Sequence, residues 1–100
     1  MRYTQHFYLR NASFRDEYIR RHDELWPEMK ELLFQAGFRN YSIWISGNNL
    51  FAYFENDNLT VAEKLLKNSP VKAKWDKYMA EIITIDPTSQ SLECAFLYEG

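Results

Sequence analysis

The stretch Asn40–Glu55, NYSIWISGNNLFAYFE, decides how this chain folds. Two runs rich in aromatic and β-branched residues, Asn40–Ser46 and Asn49–Glu55, meet at the turn Ser46-Gly47-Asn48-Asn49, so the segment reads as a β-hairpin. In the second arm both alternating sets, Leu50/Ala52/Phe54 and Phe51/Tyr53, are apolar or aromatic. A strand of that kind is covered on both faces. Helices of the same short chain cover one. The other is expected to meet the same sheet of a second copy, which makes a homodimer packed sheet to sheet the preferred assembly; a concave ligand-binding sheet would use the same residues.

Working outward, Thr4–Arg10 (TQHFYLR) is aromatic-rich and roughly alternating, a strand by pattern. Ser13 stands three residues before Asp16 and is the expected N-cap of a helix whose apolar stripe runs through Phe14, Tyr18, His22, Leu25, Met29, Leu32 or Leu33, and Ala36. Gly37 is placed to close that helix in a left-handed cap, and Pro27 should break it near Glu24–Trp26. Beyond the hairpin, Thr60 and Glu63 form a capping box, Leu65 and Leu66 carry an apolar face, and Ser69-Pro70 interrupts and restarts the helix. Val71, Trp75, Tyr78, Met79 and Ile82 then share one stripe. The turn Asp86–Gln90 leads to an expected last strand, Leu92–Tyr98. The order βαββαβ gives an α+β class: one antiparallel sheet with helices on one face, a single domain spanning residues 1–100.

With 46% hydrophobic and 17% aromatic residues, and only three glycines and three prolines, the chain is too apolar for disorder. A net charge of −2 and a pI near 5.6 provide no field for phosphate backbones, despite the four lysines from Lys67 to Lys77. RNA-recognition modules share the element order, but the Gly-aromatic run they use is absent, so no nucleic-acid partner is expected. The single cysteine, Cys94, rules out an intramolecular disulfide and reads as a small buried hydrophobe in a reducing compartment. The start, MRYTQHFYLRNASF, has no long apolar core, and no run approaches bilayer length; the expected setting is cytoplasmic, without a membrane partner.

One segment of the long helix carries chemistry: YIRRHDELWPEM, Tyr18–Met29. Tyr18 and His22 are four apart and lean the same way, toward the sheet. A histidine in an apolar stripe is ordinarily a core residue satisfied by its neighbours. The other reading is an acid or base in a pocket wall: the adjacent Arg20, Arg21, Asp23 and Glu24 would tune or orient the imidazole and the helix break lies one turn on, although such charges are more often a solvated face. His6 and His22 are the only histidines and lack metal-ligand spacing, so no metal is expected. No Gly-x-Ser-x-Gly nucleophile exists, which leaves acid–base chemistry. Tyr41 and Trp75 either fill core or, beside a histidine, form the aromatic walls of a sugar site.

YIRRHDELWPEM, followed by GFRNYSIWI and then KWDKYM, resembles the L-rhamnose mutarotase family in order and spacing, from the first strand to about Pro87. The resemblance implies a ferredoxin-like fold of the dimeric α/β-barrel type, interconversion of the α and β anomers of L-rhamnose or a related monosaccharide, and no metal or organic cofactor. It places the family's proton donor at His22 and its sugar-contacting tyrosines at Tyr18 and Tyr41. The family's two consecutive tryptophans read Trp75-Asp76 here. Asp76 thereby becomes a candidate substrate contact favouring an added hydroxyl over a 6-deoxy carbon; the alternative is a solvated Asp76 paired with Lys72 or Lys77. Two rivals share the fold: a non-catalytic sugar-binding protein and a cofactor-independent monooxygenase.

Overall fold

The computed structural model of the chain describes residues 1–85 and 92–100. Strands β1 (Arg2–Leu9), β2 (Arg39–Ser46), β3 (Asn49–Glu55) and β4 (Ile83–Thr84) form one antiparallel sheet in the order β2-β3-β1-β4. The hairpin forms where expected, except that β2 begins one residue earlier, at Arg39. Ser46 pairs with Asn49 across a two-residue loop, and Gly47 supplies the positive φ of 60° that such a loop needs first.

Strand parity sorts the sheet into two faces. Leu50, Ala52 and Phe54 are buried on the inner face, opposite Phe7, Gln5 and Tyr3 of β1 and beside Ile43 and Ile45 of β2. On the outer face Phe51 and Tyr53 stand beside His6 and Thr4 on one flank and Trp44 and Ser42 on the other. Phe51 stacks on His6 with ring centroids 4.6 Å apart. Trp44 is 69% exposed there.

The helices α1 (Arg15–Asp23), α2 (Pro27–Gln35), α3 (Leu59–Lys67) and α4 (Pro70–Met79) cover the inner face. The break between α1 and α2 falls at Glu24–Trp26, as Pro27 dictates: Trp26 is extended (φ −58°, ψ 138°) and Pro27 opens α2 without an amide to satisfy. Gly37, at φ +81°, closes α2 with both bonds of a Schellman cap, its N–H on Phe34 O and that of Phe38 on Leu33 O. Two caps differ from expectation. Asn11, in extended backbone, accepts the Ser13 amide at 2.9 Å and starts a 3₁₀ turn, Ala12–Phe14, ahead of α1, so Ser13 is not the cap. Likewise Asn58 accepts the Val61 amide and starts α3 at Leu59, which leaves Thr60 inside the helix. An asparagine preceding a serine or threonine captures the first free amides before the later residue can. Ser69 caps α4 as expected, accepting the Lys72 amide at 3.3 Å. On α3 the inward face runs through Ala62 and Leu66, with Leu65 left exposed.

The last strand is the largest correction. It is Ile83–Thr84, paired with Leu9 and Tyr8, and residues 92–100 carry no strand. A tight turn after α4, closed by the Ile82 amide on Met79 O, buries Ile82 and already delivers the chain to the free edge of β1. The expected turn Asp86–Gln90 lies outside the described residues. Residues 92–100 reach the outer side, where Thr4 Oγ1 donates to Leu92 O at 3.1 Å and Arg2 lies 3.8 Å from Glu99. Cys94 there is exposed rather than buried, since no sheet neighbour covers it. Among the described residues no helix is long and apolar enough to cross a membrane.

Candidate active site

The inner core gathers Leu9, Tyr18, Met29, Leu50, Trp75, Met79 and Ile82, but it does not fill the space under the helices. A cavity of about 1010 Å³ remains between the sheet and the walls made by α1 and α4. Tyr18 and His22 of α1, Tyr41 of β2, and Trp75 and Asp76 of α4 all line it. Thus the five residues singled out in the sequence, from three separate elements, share one space. Gln5 also lines it and was not anticipated. Its signal is a polar side chain at an inward strand position between Tyr3 and Phe7, facing the small Ala52 that leaves it room.

Local geometry fixes the imidazole. Tyr18 and His22, one helical turn apart, bring their rings to 4.4 Å between centroids, and the edge of Trp75 meets His22 at 5.4 Å and 86°. His22 Nδ1 lies 3.1 Å from Tyr18 O. A carbonyl only accepts, so Nδ1 carries the proton and Nε2 is the unprotonated nitrogen of a ring that lines the cavity. Burial pushes the His22 pKa below its ordinary 6.5, against the Tyr18 hydrogen bond and the charge of Asp23, which pull it upward. The resting ring is therefore neutral at neutral pH.

The phenols are held in their protonated form. Burial raises the pKa of Tyr18, and the charge Tyr41 would carry if ionised raises it further. Burial also raises the pKa of Tyr41. Its ring is fixed by stacking on Phe54 at 5.2 Å. Asp76 stands at the rim, hydrogen-bonded to Lys72, which lines the same space, and its side chain is 58% exposed. Among the described residues no group of three or more histidine, cysteine, aspartate or glutamate side chains is placed to hold a metal ion.

A neutral imidazole, two protonated phenols and a tryptophan wall make a pocket whose side chains are capable of acid–base chemistry on a hydroxylated small molecule. Comparison with known proteins makes that class particular. The L-rhamnose mutarotase profile matches residues 2–97, well past Pro87, and the chain belongs to the L-rhamnose mutarotase family: it is a sugar mutarotase, an isomerase. An L-rhamnose mutarotase of Listeria monocytogenes is 43% identical over 77 residues, covering 75% of this chain and 73% of that protein. One from Formosa agariphila is 39% identical over 79 residues, 77% and 75% of the two chains. The crystal structure of an L-rhamnose mutarotase from Formosa agariphila superposes with a TM-score of 0.79 at 34% identity, covering 99% of each chain. A tetracenomycin F2 cyclase from Streptomyces glaucescens, at TM-score 0.73 and 12% identity over 100% of this chain and 98% of its own, shares the fold alone.

Proposed function

We propose that the chain interconverts the α and β anomers of L-rhamnose or a closely related monosaccharide in this cavity, with His22 carrying the proton. The observation that supports this most is the pinning of Nδ1 on Tyr18 O, which presents Nε2 as a base beside a phenol and an aromatic wall. Nε2 accepts the proton of the anomeric hydroxyl, the C1–O1 bond becomes a carbonyl, and the C1–O5 bond breaks. The two oxygens share C1, so the imidazolium that forms returns the same proton to O5 and leaves the open-chain aldehyde. Rotation about C1–C2 turns the other carbonyl face toward O5, and the steps run backward to the opposite anomer. No net charge or redox change occurs. Tyr18 and Tyr41, as neutral phenols, orient sugar hydroxyls, while Trp75 offers its surface to the apolar ring hydrogens. At the rim Asp76 accepts from a hydroxyl of the sugar.

Two further parts of the reading concern the setting. The outer sheet face, with Trp44, Phe51 and Tyr53, and the exposed Phe96 and Tyr98 of the C-terminal segment fit burial against a second copy of this chain. The cytoplasm suits a sugar isomerase with a single cysteine.

Saturation-transfer NMR between the anomeric protons of L-rhamnose, L-fucose and common hexoses tests the function. Accelerated exchange is expected for L-rhamnose or a near relative. Binding without transfer would overturn the proposal in favour of a sugar-binding protein.

A further inference from the structure

His22 sits in the last turn of α1, one residue before the helix ends and the chain breaks at Glu24–Trp26. Terminal turns open most readily, yet general acid–base chemistry needs the imidazole held to within a fraction of an ångström. Something outside the helix has to hold that turn.

The neighbouring Arg21 does not line the cavity, and its side chain is only 10% exposed. Its Nε donates to Glu17 on the preceding turn at 2.9 Å. Nη1 donates to Tyr78 O at 2.7 Å and pairs with Glu81 at 3.0 Å, so the guanidinium caps the C-terminal end of α4. Its Cζ lies over the Tyr78 ring, 3.9 Å from the centroid. From there aromatic contacts lead back to the imidazole: Tyr78 stacks on Trp26 at 5.6 Å, Trp26 meets Trp75 at 5.2 Å, and Trp75 meets His22 at 5.4 Å. Arg21 and His22 are adjacent in the chain, so these contacts close into a ring. Hydrogen bonds from Arg20 and Arg21 keep the Glu17 carboxyl at about 2, so the anchor on α1 stays charged at any working pH.

We infer that Arg21 is a positioning residue for the reaction: it clamps the last turn of α1 to the end of α4 and thereby sets where His22 stands against Trp75. This rests on the reading of His22 as the proton carrier. A lysine does not replace it, because an ammonium has neither the planar fork for three acceptors nor the flat face that stacks on Tyr78.

The test uses Arg21→Met and Arg21→Lys, each checked for folding by near-UV circular dichroism. Anomer exchange is measured at saturating and limiting sugar, well below the melting temperature, together with the ring 1H–13C NMR signals of His22. Both variants should lose about tenfold to a hundredfold in kcat, more than they change KM, with the His22 signals displaced or doubled. Folded variants with wild-type kcat and wild-type His22 signals would overturn the inference. Should neither fold, Glu81→Gln removes one arm of the clamp and leaves the others: a lowered kcat with displaced signals supports the inference, and no change in either overturns it. His22→Ala separates the two levels. If that variant exchanges at the wild-type rate, the reading of His22 fails; if it is inactive while the Arg21 variants are unaffected, the clamp alone fails.

Discussion

His22 is held by Nδ1 on Tyr18 O, and in the proposed mechanism its other nitrogen carries the proton, which sets a sign for the pH dependence. The cycle begins with a neutral ring, and burial holds the pKa below 6.5, so exchange should be level above pH 6.5 and fall as pH drops through the depressed value. Stability follows the same direction: the gain from burying a neutral imidazole is complete above 6.5 and is lost as pH falls through the folded-state pKa. Asp76 stands at the rim of the cavity, with its side chain 58% exposed. Its pair with Lys72 is open to solvent on the Asp76 side and worth about 0–1 kcal/mol, so replacing it disturbs the fold little. Asp76→Trp exchanges a hydrogen-bond acceptor for an apolar surface and should raise L-rhamnose exchange relative to hydroxylated hexoses. An unchanged ratio would show that Asp76 does not touch the sugar. Tyr18 and His22 were legible because a helix fixes the relation of residues four apart. Arg21 was not: its carbonyl partner on Tyr78 is 57 residues away, and a charge on a helix flanked by other charges reads as a solvated face.

Elements were legible wherever a local residue type dictates backbone conformation, and less so where tertiary contacts choose. Pro27 and Gly37 mark the beginning and end of α2 by sterics alone, and the hairpin follows from Gly47 and strand alternation. β4 has only two residues and no alternation to display; its identity comes from pairing with the edge of β1, which leaves no local pattern. Asn56 shows how far such contacts carry an element. It is 1% exposed, its Nδ2 donates to Ala36 O at the end of α2, and its Oδ1 accepts the Asn58 amide that opens α3. Asn56→Ala leaves both groups without that partner and should cost about 1–3 kcal/mol. For a domain of this size that lowers the melting temperature by about 4–8 °C per kcal/mol. Thermal unfolding followed by circular dichroism checks this, and an unchanged melting temperature would mean that α2 and α3 are anchored elsewhere.

At the scale of the whole molecule, one side of the sheet carries the helices and the cavity while the other presents aromatic rings. The continuous aromatic pattern of β3 announced two covered faces, and parity places Phe51 and Tyr53 beside Trp44 on the side away from the helices. A second copy seated there is expected to make the protein a dimer at micromolar concentration. Trp44→Asp puts a carboxylate in that contact and should move the sedimenting species toward monomer; a wild-type protein that sediments as a stable, active monomer would contradict the assembly. The cavity lies on the opposite side of the sheet, so proton transfer at His22 can be measured apart from assembly. The most direct measurement is anomer exchange of L-rhamnose by saturation-transfer NMR, across pH 5–8, for wild type and a folded His22→Ala. The account predicts wild-type exchange that falls on the acid side below pH 6.5, and a variant slower by about 10²–10⁴-fold with that acid limb gone. A folded His22→Ala with near wild-type exchange and an unchanged acid limb would contradict it.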